Sequence, residues 1–456
     1  MAAHFDVIIV GGRCAGAPLA TLLARSGMKV CVVDRARFPS DTPSTHGVQP
    51  TGVKILDRLG VLDQVLDVAP AIEHGTMQLD GERIELNGIS QMVGAPMVNV
   101  RRVTLDAILL DAAAAAGADV RTQTAVSGLI QTGGRVVGVH TTKGELRAPL
   151  TVGADGARST IADLVGARKY HETPPGRMFV WTYLEGVASA TDHVRLGKIG
   201  DHVFLASPTD SDLFMVALGI SMSRRDEVRR DREGAWAKGV AGWPELQATL
   251  AGARRVGPVQ MMSRWHGFFR ESAGPGWVLL GDAGHFKDPT PGQGISDALR
   301  QSTMLAAAVQ TAASQDADTA DRILSEWWSW RDEDAWEMYW YANDAGAAGT
   351  TPLVIGEIQR RIAASPQLTH ALLSVLNHDL APSKAFTTGL GLAAISTALR
   401  ANPGQRKAVL REARDLVVTD TRRRLATRRP GRQSHGWSRV LTNLGLSYDF
   451  AGNDRA

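Results

Sequence analysis

Residues 5–34 constrain this chain more than any other stretch. An apolar run, F-D-V-I-I-V (5–10), runs into V-G-G-R-C-A-G (10–16) and the small, aliphatic A-G-A-P-L-A-T-L-L-A-R-S (15–26); after Gly27, K-V-C-V-V-D closes on Asp34. Two short continuous apolar runs flanking a helical stretch predict parallel strands buried on both faces and a crossover helix. Glycines permit the tight turn, the helix start presents free amides and a positive dipole end to a pyrophosphate, and an acid ending the second strand accepts hydrogen bonds from a ribose. The candidate dinucleotide-binding residues are therefore Gly11, Gly12, Arg13, Cys14, Ala15, Gly16 and Asp34. Arg13 stands where G-x-G-x-x-G has its second glycine, so either its Cβ crowds the pyrophosphate or the turn is displaced. A glycine-rich turn that binds nothing is the competing explanation, and the strand-helix-strand-Asp context opposes it.

The remaining chain organises around this unit. Residues 35–50 form a long loop rich in Pro, Ser and Thr, a kind that in compact domains is commonly functional or disordered; a helix over 51–59 then closes at Gly60. Leu105, Ile108, Leu109 and Ala112 recur at helical spacing before Gly117, and three short strands separated by T-G-G and K-G lead to L-T-V-G-A-D-G and back toward the first sheet. Alternating segments between about 175 and 270 (M-F-V-W-T-Y-L, H-V-F-L-A, L-F-M-V-A-L) predict an antiparallel sheet, hence an inserted second domain. W-V-L-L-G-D (277–282) restores the buried-strand pattern, a Gly/Pro loop and a helix from Ile295 toward Val309 follow, and the chain beyond about 320 reads as helical.

At 456 residues, two or three structural units are expected. Hydrophobic content of 44% and charged content of 21% exclude a mostly disordered or collagen-like chain. A net charge of +3 gives no case for nucleic acid. No apolar run reaches the roughly 18 residues of a membrane span, and the start leads into a strand rather than a signal peptide, so a cytoplasmic protein is expected. Cys14 and Cys31 build neither a disulfide framework nor a metal cluster; packing is their role, and no metal is expected. The arginines within 422–432 have no acid among them and read as a solvated, partly mobile segment in preference to an anionic-surface contact.

Beyond the first fingerprint the chain carries R-R-V-T-L-D (101–106), G-A-D-G-A-R-S (153–159) and G-D-A-G-H-F-K-D-P-T-P-G-Q-G-I-S-D-A (281–298). On these ordered motifs, over about residues 5 to 310, the sequence resembles the FAD-dependent monooxygenases of the para-hydroxybenzoate hydroxylase type, a superfamily shared with geranylgeranyl reductases and flavin halogenases. The resemblance implies an α/β fold: a Rossmann-like FAD-binding domain, an inserted antiparallel-sheet substrate domain and a helical C-terminal region. The expected boundaries are 1–172, with a substrate-domain excursion at about 74–98, then 173–272, 273–320 and 321–456.

The same resemblance implies FAD as cofactor, with NADPH or NADH as transient co-substrate. It makes Asp34 the adenosine-ribose ligand and Arg102 a cofactor-binding arginine, places Asp155 at the strand end beside FAD, gives Asp282 the ribityl or ribose hydroxyls, and adds contacts at Arg35 and Val126. Each of the three acids ends an apolar strand, Asp155 and Asp282 next to a glycine, at the carboxyl edge where α/β sheets bind ligands; for Asp155, simple helix capping competes. The isoalloxazine is implied at Pro289, Gly292, Gln293, Gly294 and Ile295, where a helix start would favour the negative charge of reduced flavin. His46, in the long loop, is a candidate catalytic proton relay or flavin contact, against an exposed or capping histidine. The inserted domain is dense in aromatic and methionine residues, most of them core. Trp181, Phe204 and Phe214 are the candidates for an apolar substrate cavity above the flavin.

The expected activity is hydroxylation or epoxidation of an apolar, aromatic or polyketide-like small molecule by O2, through a flavin C4a-hydroperoxide. The alternative is reduction of isoprenoid or lipid double bonds. A halogenase reading is disfavoured because W-x-W-x-I-P is missing; the W-x-W at Trp328–Trp330 is followed by Arg331. Residues 403–427 carry a basic amphipathic pattern, read as packing on the main body in preference to membrane contact. A monomer or homodimer is expected.

Overall fold

The computed structural model describes residues 3–44, 46–187 and 192–426. Its organising element is a six-stranded sheet in the order Ala273–Gly274, Trp277–Leu279, Leu150–Gly153, Val7–Val10, Val30–Val33, Asp119–Arg121. The last five strands are parallel, and Val7–Val10, Val30–Val33 and Leu150–Gly153 are buried at every position. Such strands need cover on both faces. Helices Gly16–Arg25, Arg102–Ala115 and Gly294–Ala312 pack within one apolar core with Val7, Ile9, Val30 and Val32; Ile8, Val10, Cys31 and Val33 face a second core that includes Val139 and Leu146 of the 126–147 strands.

Register sets the functional edge. Val10 pairs with Val33 and with Gly153, and Gly153 pairs with Leu279. Those four residues end their strands together, so Gly11, Asp34, Asp155 and Asp282 follow along one side of the sheet. Helix starts gather there too, the arrangement in which open α/β sheets bind ligands.

The second sheet has seven strands in the order Arg254–Met262, Arg177–Glu185, Phe214–Ser221, His202–Pro208, His193–Ile199, His74–Leu79, Glu82–Asn87. The last two come from a hairpin far earlier in the chain. His193–Ile199 joins His74–Leu79 in parallel, the other neighbours being antiparallel. One face carries Met178, Val180, Leu184, Phe204, Phe214 and Leu218 and is covered by helices Arg225–Arg230, Arg232–Ala241 and Pro244–Thr249, elements that alternation alone did not predict. The opposite face carries Phe179, Trp181, Tyr183, Met215 and Met262.

Helices continue from Ala317 to Ala426. The final helix, Arg406–Ala426, packs through Val409 against Val354, Ala394 and Ala398 and leaves Leu410, Val417 and Leu425 more than half exposed. It is held by Arg423, which pairs with Asp344 at 2.6 Å and lies over Trp340, and by Glu412, which accepts from the Val354 amide at 2.9 Å. Arg422–Arg424 belong to this helix; the rest of the arginine-rich run lies outside the described residues. No described helix is long and apolar enough to cross a membrane.

Candidate active site

The glycine turn is built as the sequence suggests. Gly11 has φ +106°, and a Cβ on Gly16 would lie 1.9 Å from the Gly11 carbonyl oxygen. The Gly12 amide donates to Asp34 Oδ2 at 2.9 Å, and Asp34 Oδ1 accepts from the Ala36 amide at 2.8 Å, so this carboxylate braces the turn from the end of the next strand. Arg13 does not crowd the turn. Its guanidinium pairs with Asp106 at 2.7 Å, donates to Ser40 Oγ at 3.0 Å and lies over the Phe38 ring. Arg35 is exposed, and Val126 opens the 126–132 strand.

Asp106 was not singled out from the sequence, yet it is fully buried and organises this side of the site. It accepts from Arg13, from Arg102 Nε at 2.9 Å and from the Cys14 thiol at 3.2 Å. Burial, reinforced by Asp106, pushes the Cys14 thiol far above its ordinary range. Its place four residues after Arg102 on one helix was the signal available.

The three strand-end acids differ. Asp155 is spent on capping: it accepts from Ser159 Oγ at 2.5 Å and from the Thr160 and Ile161 amides at 2.6 and 3.3 Å, at the start of the short helix Thr160–Leu164. Its carboxylate is thus taken up locally, as the competing capping explanation holds. Asp282 is the opposite case. Among the described residues nothing hydrogen-bonds its carboxylate, which is open to solvent in a turn set deep in the protein. Although solvent reaches the carboxylate, desolvation by the protein crowded around this turn raises its pKa to about 6, Arg102 opposing and Asp297 reinforcing. A carboxylate with no protein donor at the ligand-binding edge fits the hydroxyl-rich chain of FAD.

That pKa fixes a sign. Hydroxyl donors favour the ionised carboxylate, so FAD binding below about pH 6 releases a proton. Affinity of the FAD-free protein is expected to rise as pH increases toward 6 and then level off, measured by fluorescence titration, with Asp282→Asn flattening the profile. Stability of the FAD-free protein runs the other way: the folded pKa lies above the unfolded value, so the protonated carboxyl's contribution, full below about pH 4, is lost as pH rises through about 6. A pH-independent affinity in the native protein would remove Asp282 from the contact.

The 289–295 segment starts helix Gly294–Ala312. Gly292 has φ +66° and its amide donates to the Pro289 carbonyl at 2.9 Å, while a Cβ on Gly294 would meet nothing within 4 Å. The Gln293 side chain is buried and turned toward the C-terminal helices, which leaves its backbone N–H at the helix start as its group for a ligand.

His46 is neither exposed nor capping. It is 1% exposed, has φ +63°, and its Nε2 shares a short hydrogen bond with Tyr183 Oη, while Nδ1 has no partner among the described residues. Burial first, and Arg102 next, push its pKa down to about 3, so the imidazole is neutral. Burial raises Tyr183 to about 12. Arg101 lies over the Tyr183 ring and pairs with Asp210 at 2.9 Å, which ties the sheet to the start of helix Arg102–Ala115. The face bearing Trp181 and Tyr183 is therefore the one joined to the loop at His46 and to the helix start at Arg101. Phe204 and Phe214 are corrected: they lie on the other face, packed with Trp243 and Leu246 in a core closed by helices. Alternation separates two faces but does not say which one looks at the cofactor.

A parallel sheet with a glycine turn and acids along its carboxyl edge, joined to an apolar antiparallel sheet, defines a dinucleotide-binding flavoprotein. The chain belongs to the family described as FAD binding domain, whose model matches residues 4–326, and FAD is its cofactor. It is similar to 6-methylpretetramide 4-monooxygenase of Streptomyces rimosus, 31% identical over 340 residues, which are 71% of this chain and 79% of that protein. It is also similar to menaquinone reductase of Mycolicibacterium smegmatis, 28% identical over 331 residues, 69% and 78% of the two chains. Among solved structures, a flavin-dependent brominase superposes with a TM-score of 0.68 at 19% identity, covering 88% of this chain and all of that one, a likeness of fold. The chain is thus an FAD-dependent oxidoreductase.

Proposed function

We propose that this protein is a monooxygenase that inserts one atom of O2 into an apolar, aromatic or polyketide-like small molecule, with NADH or NADPH as reductant. The observation that carries this reading is the apolar Trp181–Tyr183–Met215–Met262 face, joined through Tyr183 to His46 and Arg101, a wall suited to a large ring system. Similarity to a monooxygenase named for 6-methylpretetramide supports the substrate class. FAD, when bound and reduced by the nicotinamide, would supply the two electrons needed for one atom of O2 to enter the substrate and the other to leave as water. The protein's contributions are its own. The 293–295 amides would stabilise negative charge on the reduced ring, Asp34, Arg102 and Asp282 would hold the rest of the cofactor, and the apolar face would orient substrate and exclude water. His46, neutral and bonded to Tyr183 on one nitrogen, has the other unpartnered among the described residues, so its role would be a hydrogen-bond contact to the bound flavin and not uptake of a proton.

The second reading is reduction of a carbon–carbon double bond in an isoprenoid-like lipid. The menaquinone reductase relative and the exposed apolar positions on helix Arg406–Ala426 favour it. Turnover under isotopically labelled O2 separates the two. Label in the product, with reduced nicotinamide oxidised in step with substrate, is expected; equal turnover without oxygen, with a product that has gained hydrogen, would replace the monooxygenase by the reductase.

A further inference from the structure

The end of helix Pro366–Leu376 and the three residues after it are tied to both chain segments that approach the flavin ring. Gln293 Nε2 donates to the carbonyl oxygens of Val375 and Leu376 at 2.9 and 3.0 Å in the last turn of that helix, and its Oε1 accepts from Lys287 at 2.7 Å. Lys287 pairs with Asp297 at 2.6 Å, and Asp297 with His378 Nδ1 at 2.9 Å. The His378 carbonyl accepts from Arg300 at 2.7 Å. Asn377 holds the other segment: its Oδ1 accepts from the Thr51 amide at 2.6 Å and its carbonyl from Thr51 Oγ1 at 2.8 Å, in the first turn of helix Pro50–Arg58, which follows His46–Gln49. His378 has φ +62°, a conformation that a residue with a side chain keeps where its surroundings over-determine it.

We propose that Asn377 and His378 are positioning residues of the redox site: they clasp segments 46–51 and 289–297 at one spacing, so the C-terminal helices set the environment of the flavin ring as well as covering it. Charge-stabilising donors act only where their distance to the ring is fixed, which is what the clasp enforces. The inference rests on the ring lying at the start of helix Gly294–Ala312 and is independent of whether the reaction transfers oxygen.

His378→Asn is the informative variant in the FAD-loaded full-length protein. Asparagine tolerates positive φ but lacks the ring that reaches both Asp297 and Asp334. The far-UV circular dichroism is expected to stay native, while the visible flavin bands change, the midpoint potential shifts and the FAD dissociation constant rises roughly tenfold, the equivalent of one charge-assisted hydrogen bond. A lowered melting temperature with flavin bands and potential unchanged would show a role in stability alone and overturn the clasp. If His378→Asn does not fold, Thr51→Val, which removes the hydroxyl bonds to Asn377 and Asp379, is read in the same way: shifted flavin properties support the clasp, native ones overturn it. Gly294→Val separates this inference from the ring placement beneath it, since valine there fills open space. Flavin lost in Gly294→Val but native in His378→Asn defeats the clasp alone; flavin undisturbed in Gly294→Val defeats the ring placement as well.

Discussion

Asp282→Ala is expected to bind FAD roughly 10- to 100-fold more weakly while the FAD-free protein melts at the same or a higher temperature. The two halves have one cause. An ionised carboxylate accepting from cofactor hydroxyls contributes about 1.5–3 kcal/mol to binding, which sets the loss. Without FAD the same group adds nothing to the fold, because solvent hydrates it, no described residue hydrogen-bonds it and the protein crowded around it raises its pKa. Occupancy, read from the ratio of flavin to protein absorbance after dialysis, and the melting temperature of the stripped protein check the two halves. Full occupancy would take Asp282 out of the site, and a large fall in melting temperature would make it a structural residue.

Phe204→Ala is expected to cost about 3–5 kcal/mol of stability, the usual loss for a buried aromatic, and to leave substrate KM in the folded fraction unchanged. Phe204 is 6% exposed and packs against Trp243, behind the sheet as seen from the cofactor. Trp181→Ala, on the other face, is expected to raise KM for the best substrate as well as to destabilise. Thermal melts and steady-state kinetics decide it: equal KM effects for the two variants would mean that the cavity does not lie on the Trp181 face.

The parts legible in the sequence were those where one local rule decides. Val7–Val10 and Val30–Val33 announce themselves as buried strands because parallel strands have no polar face, and Gly11 and Gly16 because a Cβ would collide there. Helix Gly294–Ala312 was read one residue late, an ordinary error at a cap. What failed depends on tertiary neighbours. Phe204 and Trp181 carry the same alternation and differ only in what covers them. Helices between Arg225 and Thr249 lie within the stretch expected to be an antiparallel sheet, although R-R-D-E-V-R-R suits a helix better than a strand. His46 looked like a loop histidine and is buried because Tyr183, 137 residues away, closes over it. Asn377 and His378 gave no local signal, since their partners lie on helices far away in sequence.

The parallel seam between His74–Leu79 and His193–Ile199 has a consequence for synthesis. The hairpin 74–87 leaves the ribosome with an unsatisfied strand edge and waits for its partner, more than 100 residues later, for on the order of ten seconds at usual elongation rates. An open, partly apolar edge is a template for pairing with another chain during that interval. Slower translation across residues 88–192 would lengthen the exposure, and chaperone binding to nascent chains should peak there and fall once Ile199 has emerged.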